Sequence, residues 1–207
     1  MDPLHSDGIA AEGETSTSFN ISFQDEVIPG TYPLVFKITY HDANMYQFST
    51  VACRLVKTFD APSSKIRGSI ENLEITTEDS GTTSLKIWND ADEPLDLKIK
   101  FNSPNELKAS LDQMNISIDP LEEKQIPIDV ESFGALVGSS YVVFASIEYE
   151  SDYHYTSFAE GKVGIVETNK NEGGLDSSNN AVWLIFVLVF LVTLFIGYQI
   201  WESGREK

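Results

Sequence analysis

The chain has 207 residues, 14 basic and 32 acidic, for a formal charge of −18, with 42% hydrophobic residues, 11% aromatic residues and one cysteine. That acidity argues against a nucleic-acid-binding face and against docking on anionic lipid through a polybasic patch. A single cysteine rules out an internal disulfide framework and a cysteine-based zinc cluster, while the apolar content is enough to bury a core, unlike a disordered acidic tail.

Met1-Asp-Pro-Leu-His5 has no basic stretch and no apolar stretch, so it does not read as a signal peptide. Strand signals then dominate residues 15 to 166. Phe19, Ile21 and Phe23 alternate with polar residues, and Tyr32, Leu34, Phe36, Ile38 and Tyr40 form a longer row of the same period. Val51, Cys53 and Leu55 make a third row, in which Cys53 reads as a small buried hydrophobe. Leu95, Leu97, Ile99 and Phe101 alternate with Asp96, Lys98 and Lys100. Ile126, Ile128 and Val130 follow, then Tyr141, Val143, Ala145, Ile147 and Tyr149. Turn clusters separate the rows: Pro29-Gly30, Asp79-Ser80-Gly81, Asn89 to Asp92, Asn102 to Asn105 and Gly138 to Ser140. No segment ahead of residue 167 sustains a 3.6-residue apolar period. Short strands at roughly ten-residue spacing predict an all-β protein built as an immunoglobulin-like antiparallel sandwich.

The chain contains a repeat. Tyr32, Ile38, Tyr40 and Tyr46 match Tyr141, Ile147, Tyr149 and Tyr155 at an offset of 109, and Glu14, Phe19 and Ile21 match Glu123, Ile128 and Val130. That offset is the size of one immunoglobulin-like domain. The second copy starts near Ile66, so the first lacks roughly its opening forty residues on this spacing. The expected organisation is a partial immunoglobulin-like unit over 1–60, holding only the last strands, and a complete sandwich over 61–167. Three explanations stay open for the partial unit: a truncated or misassigned start, a half-domain packed on the second domain or on a partner, or a shorter β-unit.

Residues 168–180 are polar with a Gly-Gly pair and read as a stalk. Ala181–Trp201 has no charge over 21 residues, about 31 Å of helix, which matches a bilayer's hydrocarbon core. It predicts one transmembrane helix over 181–201, with Trp183 at one interface and Tyr198 and Trp201 at the other. Thr193 and Gly197 form a small-x-x-x-small pair, and 202–207 is a short tail. Lys162 and Lys170 before the helix balance Arg205 and Lys207 after it, the latter pair lying closer to its end.

The second copy runs Gly81…Leu85-Lys-Ile-Trp-Asn89, Pro94-Leu-Asp-Leu97, Ile118-Asp-Pro-Leu-Glu-Glu-Lys124 and Gly138-Ser-Ser-Tyr141, and the first copy keeps Pro29-Gly30-Thr-Tyr32. Over residues 13–166 this resembles the CARDB- and NEW3-type immunoglobulin-like modules of archaeal, S-layer-like cell-envelope proteins. Leu121-Glu122 stands where that pattern has a glycine in the turn. The resemblance implies an envelope-associated β-module with a C-terminal membrane anchor and no catalysis.

Enzymatic motifs are missing: there is no G-x-S-x-G, H-E-x-x-H, Walker A or dinucleotide loop. His5, His41 and His154 lack metal-ligand spacing, and His41 and His154 read as residues of solvated hairpin loops. Asp90, Asp92 and Glu93 are weak calcium candidates in one turn, without the spacing of an EF-hand. Asn20 and Asn115 open glycosylation sequons, but chance alone gives about two in such a composition. Tyr153, Tyr155 and Phe158, with Tyr46 and Phe48, make two equivalent aromatic hairpins that read as packing or as a contact patch for sugar or protein.

The expected protein is therefore a non-enzymatic, cofactor-free, single-pass cell-membrane protein. Its acidic sandwich lies on the extracellular side and presents loops and strand edges for structural or adhesive contact. Its partners are the lipid bilayer and envelope or membrane proteins, and not nucleic acid. The alternatives are an accessory subunit of a membrane transporter complex and a calcium- or carbohydrate-binding surface module.

Overall fold

Eleven strands follow one another in chain order: β1 (Thr31–His41), β2 (Gln47–Lys57), β3 (Ile66–Ile70), β4 (Leu73–Ile75), β5 (Ser80–Asn89), β6 (Leu95–Asn102), β7 (Leu107–Ala109), β8 (Gln113–Ile118), β9 (Glu123–Ser132), β10 (Ser140–Glu150) and β11 (His154–Ile165). They are seen in a computed structural model that describes residues 14–18, 20–23 and 27–168. The chain divides into Met1–Val166 and Glu167–Lys207, and the strands all belong to the first unit. No helix among the described residues is long and apolar enough to cross a membrane. The expected span 181–201, with Ala181, Trp183, Tyr198 and Trp201, lies outside the described residues.

Residues 66–165 form an immunoglobulin-like sandwich. One sheet has the order β3-β5-β9-β7 and the other β4-β11-β10-β6-β8. Neighbours run antiparallel except β4, which lies parallel to β11. These are the A-B-E-D and A′-G-F-C-C′ layers of the immunoglobulin fold, with one departure. After β6 the chain visits the D position as β7 and only then returns to the C′ position as β8.

The period-two rows explain the core. In β6, Leu95, Leu97, Ile99 and Phe101 are buried while Asp96, Lys98 and Lys100 face water. In β10, Tyr141, Val143, Ala145, Ile147 and Tyr149 point inward against Ile66, Leu85, Ile87, Ile128 and Val130 from the opposite sheet. Full burial of one such aliphatic side chain stabilises by about 1.5–3 kcal/mol. Pro127 is tolerated in β9 because β7 flanks that strand only from Val130 to Ser132, leaving position 127 open on one side.

The first copy is a hairpin. β1 pairs with β2 from Thr31↔Lys57 to His41↔Gln47, and β10 pairs with β11 from Ser140↔Gly164 to Glu150↔His154. Thr31 thus matches Ser140 at an offset of 109, but Lys57 matches Gly164 at 107, because the turn after β1 is two residues longer. The counterpart of Tyr46 is therefore Tyr153, and Tyr155 corresponds to Phe48. Of the expected strand on Phe19, Ile21 and Phe23, Phe19 lies outside the described residues, and Ile21 and Phe23 are not in a strand and are 45% and 43% exposed. A strand needs a ladder partner, and among the described residues β1 and β2 form a two-stranded sheet with each other.

Candidate interaction surface

The hairpin lies across the outer face of the five-stranded sheet, and the interface is built from groups at both its ends. At the base, Gly30 bridges to His154, whose N–H donates to the Pro29 carbonyl at 3.0 Å. A Cβ at Gly30 would run into the His154 carbonyl oxygen, so glycine is the residue that permits this approach. The Thr156 hydroxyl donates to the Thr31 carbonyl at 2.6 Å, and the Tyr32 ring stacks on the His154 imidazole with centroids 4.3 Å apart. Glu148 and Glu150 place carboxylate oxygens 3.2 and 3.4 Å from the two ring nitrogens.

His154 therefore opens β11 as a buried residue, 8% exposed, and does not sit in a solvated loop. The turn before it is only Ser151 to Tyr153, so the residue falls under the docked hairpin. His41 is exposed at the far end of β1.

Midway along the hairpin, Val51 and Cys53 pack on Phe144. Phe144 faces away from the sandwich core, and the hairpin is what buries it to 2% exposure. Burial pushes the Cys53 thiol above its ordinary pKa, the nearby Glu148 charge adds to the shift, and Arg54 opposes it. Nearer the tip, the Ser49 N–H and hydroxyl donate to the two oxygens of the buried Glu106 carboxylate at 2.6 and 2.7 Å. Asn105 N–H donates back to the Ser49 hydroxyl at 2.7 Å. No sequence signal marks Ser49, Glu106, Phe144 or Thr156 as interface residues, because their partners come from 56 or more positions away or from the polar face of a strand.

With one face spent on this interface, the hairpin turns the other outward. That outer row is Leu34, Phe36, Ile38 and Tyr40, flanked by Phe48 and Val56 of β2, whereas Tyr32 at its start is stacked on His154. Ile38 is 50% and Tyr40 51% exposed, and Tyr40 leans on Phe48 with centroids 5.7 Å apart. The same row in the second copy, Tyr141 to Tyr149, is core.

The two aromatic hairpins do not form one patch. β1 starts beside the start of β11 and runs parallel to it, so Tyr46 and Tyr153 lie at opposite ends of the unit. Tyr155 is stacked on the buried Tyr149 at 4.7 Å, with Tyr153 edge-on at 6.1 Å.

Asp90, Asp92 and Glu93 share the turn between β5 and β6, but Asp90 is held by the Arg67 guanidinium fork at 2.5 and 2.8 Å. Those hydrogen bonds and the positive charge keep its carboxyl below the usual range. Among the described residues no group of three His, Cys, Asp or Glu side chains could hold a metal ion. Asn20 and Asn115 are both exposed, Asn115 on the edge strand β8.

Neither a protein-family model nor a curated protein matches the sequence. Solved structures similar to it include native α2-macroglobulin of Escherichia coli from domain MG7 to the C-terminus, at 14% identity and TM-score 0.44, covering 51% of this chain and 17% of that one. They also include the ASH/PapD-like domain 7 of human CEP192 (16%, TM-score 0.35, 56% and 96% covered) and a non-cellulosomal cohesin of Archaeoglobus fulgidus (13%, 0.38, 54% and 99%). The chain spans a small part of the α2-macroglobulin it matches, and at these identities the likeness concerns the fold alone.

Proposed function

We propose that this chain is a non-enzymatic, single-pass membrane protein of the cell envelope, whose sandwich stands outside the cell and uses the docked hairpin to contact neighbouring envelope or membrane proteins. The observation that carries this reading is the outward apolar row of β1. Ile38 and Tyr40 sit half-exposed on a strand whose counterpart is core, and an exposed apolar sheet face in an otherwise acidic chain is a protein-contact surface. The uncharged stretch Ala181–Trp201 supports the anchor. The resemblance to archaeal S-layer-like modules supports the envelope setting.

The test is protease treatment of intact cells carrying a C-terminally tagged chain, combined with a photo-crosslinking residue at Ala52 on the same outer face. Digestion of the sandwich from intact cells, with crosslinks that vanish in Ile38→Asp, is the expected result. Full protection until lysis would overturn the extracellular placement, and crosslinks indifferent to Ile38→Asp would overturn the contact face.

A further inference from the structure

The last strand of an open sheet turns half of its backbone groups to solvent, and proteins blunt such edges with short strands, charges or proline. Most edges here are blunted in that way. β4 and β7 have three residues each. β3 carries Arg67, β1 carries Pro33 and Lys37, and β2 carries Arg54 and Lys57. β8, which ends the five-stranded sheet, differs. It runs Gln113-Met-Asn-Ile-Ser-Ile118, and of the eleven strands it alone has no charged residue. It has no proline, and its register against β6 is unbroken from Leu95↔Ile118 to Lys100↔Gln113.

The ladder fixes where each backbone group points. Phe101 N–H donates to the Asp112 carbonyl at 2.9 Å, in that same register. Alternate residues of an antiparallel strand bond to a given neighbour. Met114, Ile116 and Ile118 therefore turn N–H and C=O toward β6, while Gln113, Asn115 and Ser117 turn theirs away from the sheet. The Ser117 carbonyl accordingly accepts from the Lys124 ammonium at 2.9 Å, and among the described residues no strand adjoins this side of β8. The side chains sort by face in the same rhythm. Met114 and Ile116 are half-buried against the core, and Gln113, Asn115 and Ser117 are exposed.

We propose that β8 pairs antiparallel with β8 of a second copy of this chain, joining two five-stranded sheets edge to edge about a two-fold axis at Asn115. A slip of one residue would set the core side of one strand against the polar side of the other. With Asn115 opposite Asn115, the faces match and all three outward residues find partners, because Gln113 then faces Ser117 of the second copy. On the core side Met114 stands opposite Ile116. Two features select a second copy as the occupant. Chains of net charge −18 repel each other, and β8 is a strand at which they meet with no like charges opposed. The edge is also self-complementary. Lys124 stands at its Ser117 end and exposed Asp112 precedes Gln113 at the other, so the two-fold axis brings each Lys124 toward the second copy's Asp112. A carbonyl has two lone pairs, so Ser117 can accept from Lys124 and from the facing N–H together. The hairpin row of β1 lies in a different sheet, and this inference does not rest on the membrane-anchored reading.

The experiment uses the full chain with Cys53→Ala, produced without a glycan at Asn115, in detergent micelles under mild oxidation. Opposed residues in such a pair lie about 5.5 Å apart between Cα atoms, within disulfide reach. Asn115→Cys is expected to give a disulfide-linked dimer. Gln113→Cys and Ser117→Cys are each expected to give none alone and to cross-link to each other when mixed. Asn115→Glu gains Lys98 of β6 as a facing partner within the chain but opposes two carboxylates across the axis. Added to both members of the mixture, it is expected to abolish their cross-link while cooperative thermal unfolding is retained. Absence of the Asn115→Cys dimer would overturn the proposal. So would equal cross-linking of Gln113→Cys and Ser117→Cys alone and mixed, or cross-links that survive Asn115→Glu.

Discussion

Asn89 is 1% exposed at the end of β5, and its amide ties two turns together. Its nitrogen donates to the Glu93 and Asp119 carbonyls at 2.9 and 3.0 Å, and its oxygen accepts from Ala91 N–H at 2.9 Å. Asn89→Ala strands these buried groups, and urea unfolding is expected to show a loss of about 2–3 kcal/mol. Across the same end, Leu121 holds φ 57° with its side chain in water. Glycine holds that conformation without a Cβ penalty, and Leu121→Gly is expected to be neutral or stabilising by up to about 1 kcal/mol in the same assay. Cys53 shows the opposite case of a group suited to its place. Its raised thiol pKa favours the neutral form in the folded chain, so its stabilising contribution is complete below the ordinary thiol pKa and is lost as pH rises through the folded one. Labelling by a disulfide reagent at pH 8 is expected to be many-fold slower than in urea, and equal rates would show that the hairpin does not cover it.

The sandwich strands were legible because each row of alternating residues has a face in the core; β6 alternates along its length, while in β10 the inward row is buried and the hairpin buries Phe144 on the other face as well. Ile21 and Phe23 carry the same pattern but have no partner strand among the described residues, and pattern alone does not supply one. The hairpin β1–β2 lies between these cases. Its pairing follows from its sequence, but an isolated two-stranded hairpin is marginal in water, so its stability rests on Gly30, His154, Glu106 and Phe144. Gly30→Val is expected to raise amide exchange across 31–57 while leaving 66–165 protected. Equal loss of protection in both segments would mean that hairpin and sandwich fold as one unit.

The whole molecule carries −18 with only 14 basic residues. Among the described residues, the ion pairs Arg67–Asp90, Lys86–Glu71 and Lys108–Glu131 lie at the surface and contribute little. Self-repulsion therefore acts across the unit, and the melting temperature is expected to rise from low salt to about 1 M, where the screening length falls to about 3 Å. A flat or falling salt profile would contradict it.

The sequence by itself determined the fold class, the core rows, the internal repeat and the uncharged stretch at 181–201, because each is a local pattern of one period or one composition. Only the tertiary structure decided how the β1–β2 hairpin, the counterpart of β10–β11, is accommodated. The hairpin lies against the polar face of the complete sandwich, which buries His154 and Phe144 and leaves the Ile38–Tyr40 row outside. The order of β7 and β8 was likewise a tertiary outcome. Such contacts join residues far apart in the chain, and what selects them is shape and hydrogen-bond complementarity between surfaces that no single stretch of sequence contains.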